Sequence, residues 1–143
     1  MYKEILVGYD GSQASQKALE RAIEIAKLSG ANLHIVGVIR PFEFGAVDIY
    51  TIEEIEAYEK EEISKEEKYL KNAAELAKQN GLEPKLKVLE GEPAEELMSY
   101  ADENGCDLIV VGRRGVGGFK RLLLGSTASS LVKYANQSVL VVV

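Results

Sequence analysis

The chain has 143 residues, 46% of them hydrophobic, and its 23 acidic against 17 basic side chains give a net charge of −6. That length suits one domain able to bury roughly 68–70% of its unfolded surface, and the composition is that of an ordinary globular protein. The acidic balance argues against a nucleic-acid binder, whose non-specific affinity rests on basic surface, yet leaves room for a small phosphorylated ligand at a local basic site.

In chain order, the opening MYKEILVGYDGS holds a short apolar run, Ile5-Leu6-Val7, that ends in a turn-rich stretch at Gly8. The run lacks the length and the cleavage site of a signal peptide. No segment reaches the roughly 20 apolar residues of a membrane span, so a cytoplasmic protein without membrane contact is expected. Ala14, Ala18, Ala22, Ile25 and Ala26 recur at helical spacing up to Gly30, which reads as a C-cap. Leu33 to Ile39 is the second strand. A loop of mixed character follows Pro41, from Phe42 to Tyr50. A long helical pattern then runs from Thr51 to Asn80, with Ile52, Ile55, Ile63, Leu70, Ala74 and Ala77 as apolar positions.

Lys85 to Glu90 reads as the third strand, and the alternation of Leu86 and Val88 with lysines predicts one wetter face. Pro93 stands at the first position of a third helix, with Leu97, Met98 and Ala101 facing inward and Gly105 closing it. Leu108 to Val111 is the fourth strand, a glycine-rich loop follows, and Ala128, Leu131, Val132 and Ala135 mark the fourth helix. Val139 to Val143 is the fifth strand. Apolar strands without alternation, separated throughout by helices, imply an α/β fold: a single doubly wound five-stranded parallel sheet with helices on both faces. No linker, repeat or low-complexity tract divides it, so residues 1–143 form one domain.

Three features read as structural. In EEIEAYEKEEISKEEKYLK the pairs Glu56–Lys60, Glu61–Lys65 and Glu67–Lys71 stand at i,i+4 in the favoured order, as on a solvated helix face. Cys106, the single cysteine, has apolar and acidic neighbours and reads as a small packed residue rather than a reactive thiol. His34, the single histidine, lies inside a strand with none of the further ligands that zinc requires, and reads as packing or edge polarity. No G-x-S-x-G elbow marks a side-chain nucleophile, so no catalytic residue is nominated.

The segment with chemical content is GRRGVGGFKRLLLGST, residues 112–127, with five glycines, four basic residues and two hydroxyls between a strand and a helix. In a doubly wound sheet, ligands bind beyond the carboxyl ends of the strands where the strand order switches. A helix N-terminus there offers unpaired N–H groups and the positive end of the macrodipole. Glycines let backbone approach a phosphate, and the Ser126 and Thr127 hydroxyls are placed to cap the helix and donate to phosphate oxygens. The segment is neither a Walker A motif nor a dinucleotide G-x-G-x-x-G, and turns with an ordinary serine cap would also produce it.

The spacing Gly112-x-x-Gly115-x9-Gly125-Ser126 resembles the ATP-binding signature of the universal stress protein family. The likeness extends to ILVGYDGS, to EGEPAEEL from Glu90 to Leu97, to CDLIVVGRRG and to the closing VLVVV. It implies a Rossmann-like, adenine-nucleotide α-hydrolase-like fold that holds ATP, or AMP or ADP, with Mg²⁺ or Mn²⁺ on the phosphates. Under that resemblance Asp10 would meet the adenosine part and backbone at Val38 would read the adenine edge. Gly112, Gly115, Gly125, Ser126 and Thr127 would surround the ribose and phosphates. Arg113 and Arg114 lie between the glycines, where contact with phosphate and exposure on a loop are both compatible with the pattern. Lys120 and Arg121 raise the local potential.

Where the family commonly carries a proline-containing turn before its last strand, this chain has Asn136-Gln137-Ser138. The resemblance also implies a homodimer that pairs Val139–Val143 across a two-fold axis, which would cover an otherwise bare edge strand; an interior strand covered by helices is the alternative. Three functions follow: a nucleotide-binding regulatory module, a slow metal-dependent ATPase, or an interaction scaffold without nucleotide dependence.

Overall fold

The structure is a computed structural model that describes residues 1–43, 49–113 and 124–143. Strands and helices alternate as β1 (Glu4–Gly8), α1 (Gln13–Ser29), β2 (Asn32–Ile39), α2 (Ile52–Gln79), β3 (Lys85–Glu90), α3 (Pro93–Glu103), β4 (Leu108–Gly112), α4 (Ser126–Tyr134) and β5 (Ser138–Val142). All strand pairs are parallel and the sheet order is β3-β2-β1-β4-β5, the doubly wound α/β arrangement expected. Winding goes outward from β1 through β2 to β3, then crosses back to β4 and β5, so the switch lies between β1 and β4.

The two faces of the sheet separate by strand parity. Ile5, Val7, Leu33, Ile35, Leu108 and Val110 pack with Ala18, Leu19 and Ala22 of α1 and Leu70, Ala73 and Ala77 of α2. Leu6, Val36, Ile109 and Val111 pack with Ala94, Leu97 and Ala101 of α3 and Ala128 and Leu131 of α4. Strands buried on both faces must be apolar at every position, which is why β1, β2 and β4 show no alternation. At the rim β3 is largely exposed, so the wetter strand expected from its lysines is an edge strand.

Boundaries follow local chemistry. Gly30 caps α1 in the left-handed conformation at φ 74°, which a glycine adopts without Cβ strain. Ser12, Thr51 and Glu92 each accept a hydrogen bond from the backbone N–H three residues on, starting α1, α2 and α3. The first half of α2 departs from expectation: Ile52 is 73% exposed, and the buried residues of this helix begin at Glu66. The expected i,i+4 pairs on α2 do not close either, since the ion pairs among the described residues are Arg21–Glu24 and Glu4–His34. The turn before β5 is held to α3 by Gln137 Nε2, which donates to Asp102 at 2.7 Å. β5 begins at Ser138 and lies at the other edge of the sheet, which excludes the interior-strand alternative within one copy. Among the described residues no helix is long and apolar enough to cross a membrane.

Candidate functional site

At the carboxyl edge of β1, β2 and β4 lies a cavity of about 520 Å³, lined by residues of all three strands, the turn after β1, α2 and the start of α4. Its size falls in the range of small-molecule sites. Seven of the residues singled out in the sequence line it: Asp10, Val38, Gly112, Arg113, Gly125, Ser126 and Thr127. Gly115 and Arg114 lie outside the described residues, as do Lys120 and Arg121.

The turn after β1 is held by its own polar groups. Asp10 Oδ1 accepts from Ser12 N at 2.9 Å, and Asp10 N donates to Ser15 Oγ at 3.3 Å. Gly11 takes φ 81°, with the Tyr69 ring 3.0 Å from where a Cβ would stand. These bonds fix the Asp10 carboxylate at the cavity wall rather than leaving it on a loose loop.

Gly112 has a structural duty besides lining the cavity. A Cβ there would lie 2.6 Å from the backbone carbon of Ala14, so β4 reaches α1 through a contact that only glycine permits. Beyond it, Arg113 N donates to Val142 O at 2.9 Å, and Gly125 N donates to Arg113 O at 2.8 Å. Arg113 and Gly125, on either side of segment 114–124, are thereby joined through their backbones and tied to β5.

α4 differs from the other helices at its start. Its N-cap is Gly125, with φ −64° and ψ 164°, and no side chain caps it; Ser126 and Thr127 sit inside the first turn. That corrects the expectation that their hydroxyls cap the helix. Among the described residues, the first-turn N–H groups and the macrodipole therefore open onto the cavity without a side-chain cap.

The opposite wall was not legible from motifs. α2 contributes Tyr58, Glu62 and Glu66 at four-residue spacing, and Glu66 is only 7% exposed, with Oε1 buried and unpartnered among the described residues. Burial, followed by the charges of Asp10 and Glu62, pushes its carboxyl from 4.5 up to about 7. The side chain lies over Gly37 of β2, where an added Cβ would overlap its Oε1. The cavity is thus zoned. The α4 start and Arg113 line it beyond β4, Glu62 and Glu66 of α2 line it with Arg40 after β2, and Asp10 after β1 lies between.

Elsewhere, His34 is fully buried between partners: Nδ1 pairs with the Tyr100 hydroxyl and Nε2 with Glu4 Oε1, both at 2.8 Å. The expectation of packing or edge polarity therefore becomes a satisfied internal network, and it holds the Glu4 carboxyl below its usual range. Cys106 is buried as expected, and burial pushes its thiol up to about 11. Among the described residues, no group of three or more His, Cys, Asp or Glu could hold a metal ion.

A profile of the universal stress protein family matches residues 1–143. This chain belongs to the universal stress protein family. It is 36% identical over 147 residues to universal stress protein YxiE of Bacillus subtilis, covering 99% of both chains. Among solved structures it superposes on universal stress protein UspA from Lactobacillus plantarum with a TM-score of 0.86 at 26% identity, covering 99% of this chain and 98% of that one. A universal stress protein in complex with cAMP matches with a TM-score of 0.75 at 29% identity, covering 99% and 97%. One from Archaeoglobus fulgidus in complex with dAMP matches with 0.73 at 25%, covering 98% and 97%.

Proposed function

We propose that this universal stress protein is a regulatory module that binds an adenine nucleotide, ATP in the first instance, in the cavity at the carboxyl edge of the sheet. The observation that carries the reading is the uncapped start of α4 opening onto that cavity beside the β1/β4 switch. Phosphates belong at the N–H groups of Ser126 and Thr127 and at Gly112, Arg113, Gly115 and Gly125. Asp10 faces the adenosine part and the Val38 backbone the adenine edge. The complexes of related proteins with cAMP and dAMP support an adenine nucleotide. Three or four charge-assisted hydrogen bonds of about 1.5–3 kcal/mol each are enough for micromolar affinity.

Mg²⁺ or Mn²⁺ would enter on the phosphates, which need few protein ligands to carry it. The chain has no Walker lysine to neutralise a transferring phosphoryl group, so slow hydrolysis at most is expected. The test is calorimetric titration with ATP in Mg²⁺, comparing the wild type with Gly125→Asp. An aspartate at this N-cap would satisfy the helix start and place a negative charge where phosphate belongs. It should stabilise the fold by no more than a few tenths of a kcal/mol, glycine being a tolerated N-cap, and weaken ATP binding at least about tenfold. A Gly125→Asp protein that binds ATP as tightly as the wild type overturns this placement.

A homodimer through Val139–Val143 is the second part of the proposal, favoured by the position of β5 at the sheet edge with half-buried Val139, Leu140 and Val141.

A further inference from the structure

We infer that Glu66 recognises the nucleoside, its carboxylate accepting a hydrogen bond from an uncharged donor, the exocyclic amino group of the base or a ribose hydroxyl. This inference rests on the nucleotide reading above and adds a selecting residue on α2 to it.

Three observations lead there. Glu66 is more than nine-tenths buried, lines the cavity, and has an Oε1 without a partner among the described residues. A buried oxygen left unsatisfied costs free energy that a ligand donor would recover. Its place is made by Gly37, whose missing side chain leaves the space that the carboxyl occupies. The sheet order β2-β1-β4 then sets three stations along the cavity: Glu66 over β2, Asp10 after β1, and Arg113 with the α4 start beyond β4. At the first station the carboxylates of Glu62 and Glu66 stand with Arg40, whereas the third offers Arg113 and the open helix start with no acidic lining residue of α4, so a nucleotide lies with its phosphates at α4 and its donor-bearing nucleoside at Glu66.

The groups facing Glu66 define how it titrates. Burial raises its carboxyl most, Asp10 after β1 and Glu62 on α2 raise it further, and Lys65 on α2 lowers it. The Tyr9 phenol at the end of β1, itself raised by burial, senses the Glu66 charge, and Arg40 after β2 lines the same cavity. A donor from the ligand favours the ionised carboxyl, so binding near pH 7 drives a proton off Glu66.

Calorimetric titration of wild type, Glu66→Leu and Glu66→Gln with ATP, ITP, 2′-dATP and 3′-dATP in Mg²⁺, each in two buffers of different ionisation enthalpy, tests this. The wild type should prefer ATP about tenfold or more over the analogue lacking the recognised donor. ITP identifies the amino group and the deoxy analogues a hydroxyl. Glu66→Leu should abolish that preference and the Glu66 share of proton release. Glu66→Gln, which keeps an acceptor without the charge, should retain part of the preference and lose the proton release. If the wild type binds ATP but Glu66→Leu keeps the same ratios, or loses all four nucleotides equally, the assignment of Glu66 falls alone. A wild type that binds none of the four overturns the nucleotide reading and this inference together.

Discussion

Two residues show how the cavity is built at the expense of local comfort. Glu66 carries a folded pKa of about 7 against an ordinary 4.5, so the native state holds a proton that the unfolded chain has released in between. Stability from that neutral form is complete below 4.5 and is lost as the pH rises through about 7. Glu66→Gln should therefore flatten the fall in thermal midpoint between pH 5 and pH 8, and an unchanged slope would refute the shift. Gly112 is constrained differently, because its neighbour is the Ala14 backbone and cannot rotate away. Gly112→Ala should cost about 1–3 kcal/mol in chemical denaturation. The glycine signature exposed Gly112 in the sequence. The same pattern gave no hint that the reason includes contact with α1, which depends on the sheet order. Glu66 was hidden in an acidic helix face. Its one signal was its place four residues before Leu70, on the stripe that continues through Ala73, Ala74 and Ala77 into the core.

Among the described residues, periodicity located the five strands and four helices, because buried parallel strands and amphipathic helices have different repeats. It failed where partners decide. Ile52 and Ile55 read as apolar positions of the long helix, yet Ile52 is exposed and the buried residues of α2 begin at Glu66, so the first half of the helix is the solvated face that its charged pairs suggested. That half is anchored by its cap and by the edge contacts of Phe42 with Tyr50 and Tyr58, whose ring centres lie 4.7 and 5.1 Å apart respectively. Thr51 Oγ1 accepts from Glu54 N at 3.0 Å, so Thr51→Ala should cost about 1 kcal/mol by thermal denaturation. Helix caps differ along the chain as well: side chains close the starts of α1, α2 and α3, whereas Gly125 at the start of α4 supplies no side-chain cap.

For the whole molecule, parity along the strands made the layered architecture legible, whereas the strand order was not, because nothing in β3 or β5 alone states which neighbour it takes. That order places a bare strand at one edge and the candidate site at the switch point. A two-fold pairing of β5 would bring two copies of Val139–Val143 side by side, so Val141→Lys would set like charges close together at that edge. Sedimentation analysis should then show a dimer for the wild type and a monomer for the variant. A variant that sediments with the wild type would exclude this edge as the interface.

The backbone link from Val142 through Arg113 to Gly125 gives the cavity a built-in reporter. Two amide protons, on Arg113 and Gly125, are shielded only while β5, the end of β4 and the start of α4 hold together. Their exchange with deuterated solvent measures, without any label or bound probe, how often this corner of the sheet opens. A nucleotide gripped at α4 would slow both amides in step. A partner docked on β5 would slow Arg113 first, so the order of protection would show from which side the molecule had been engaged.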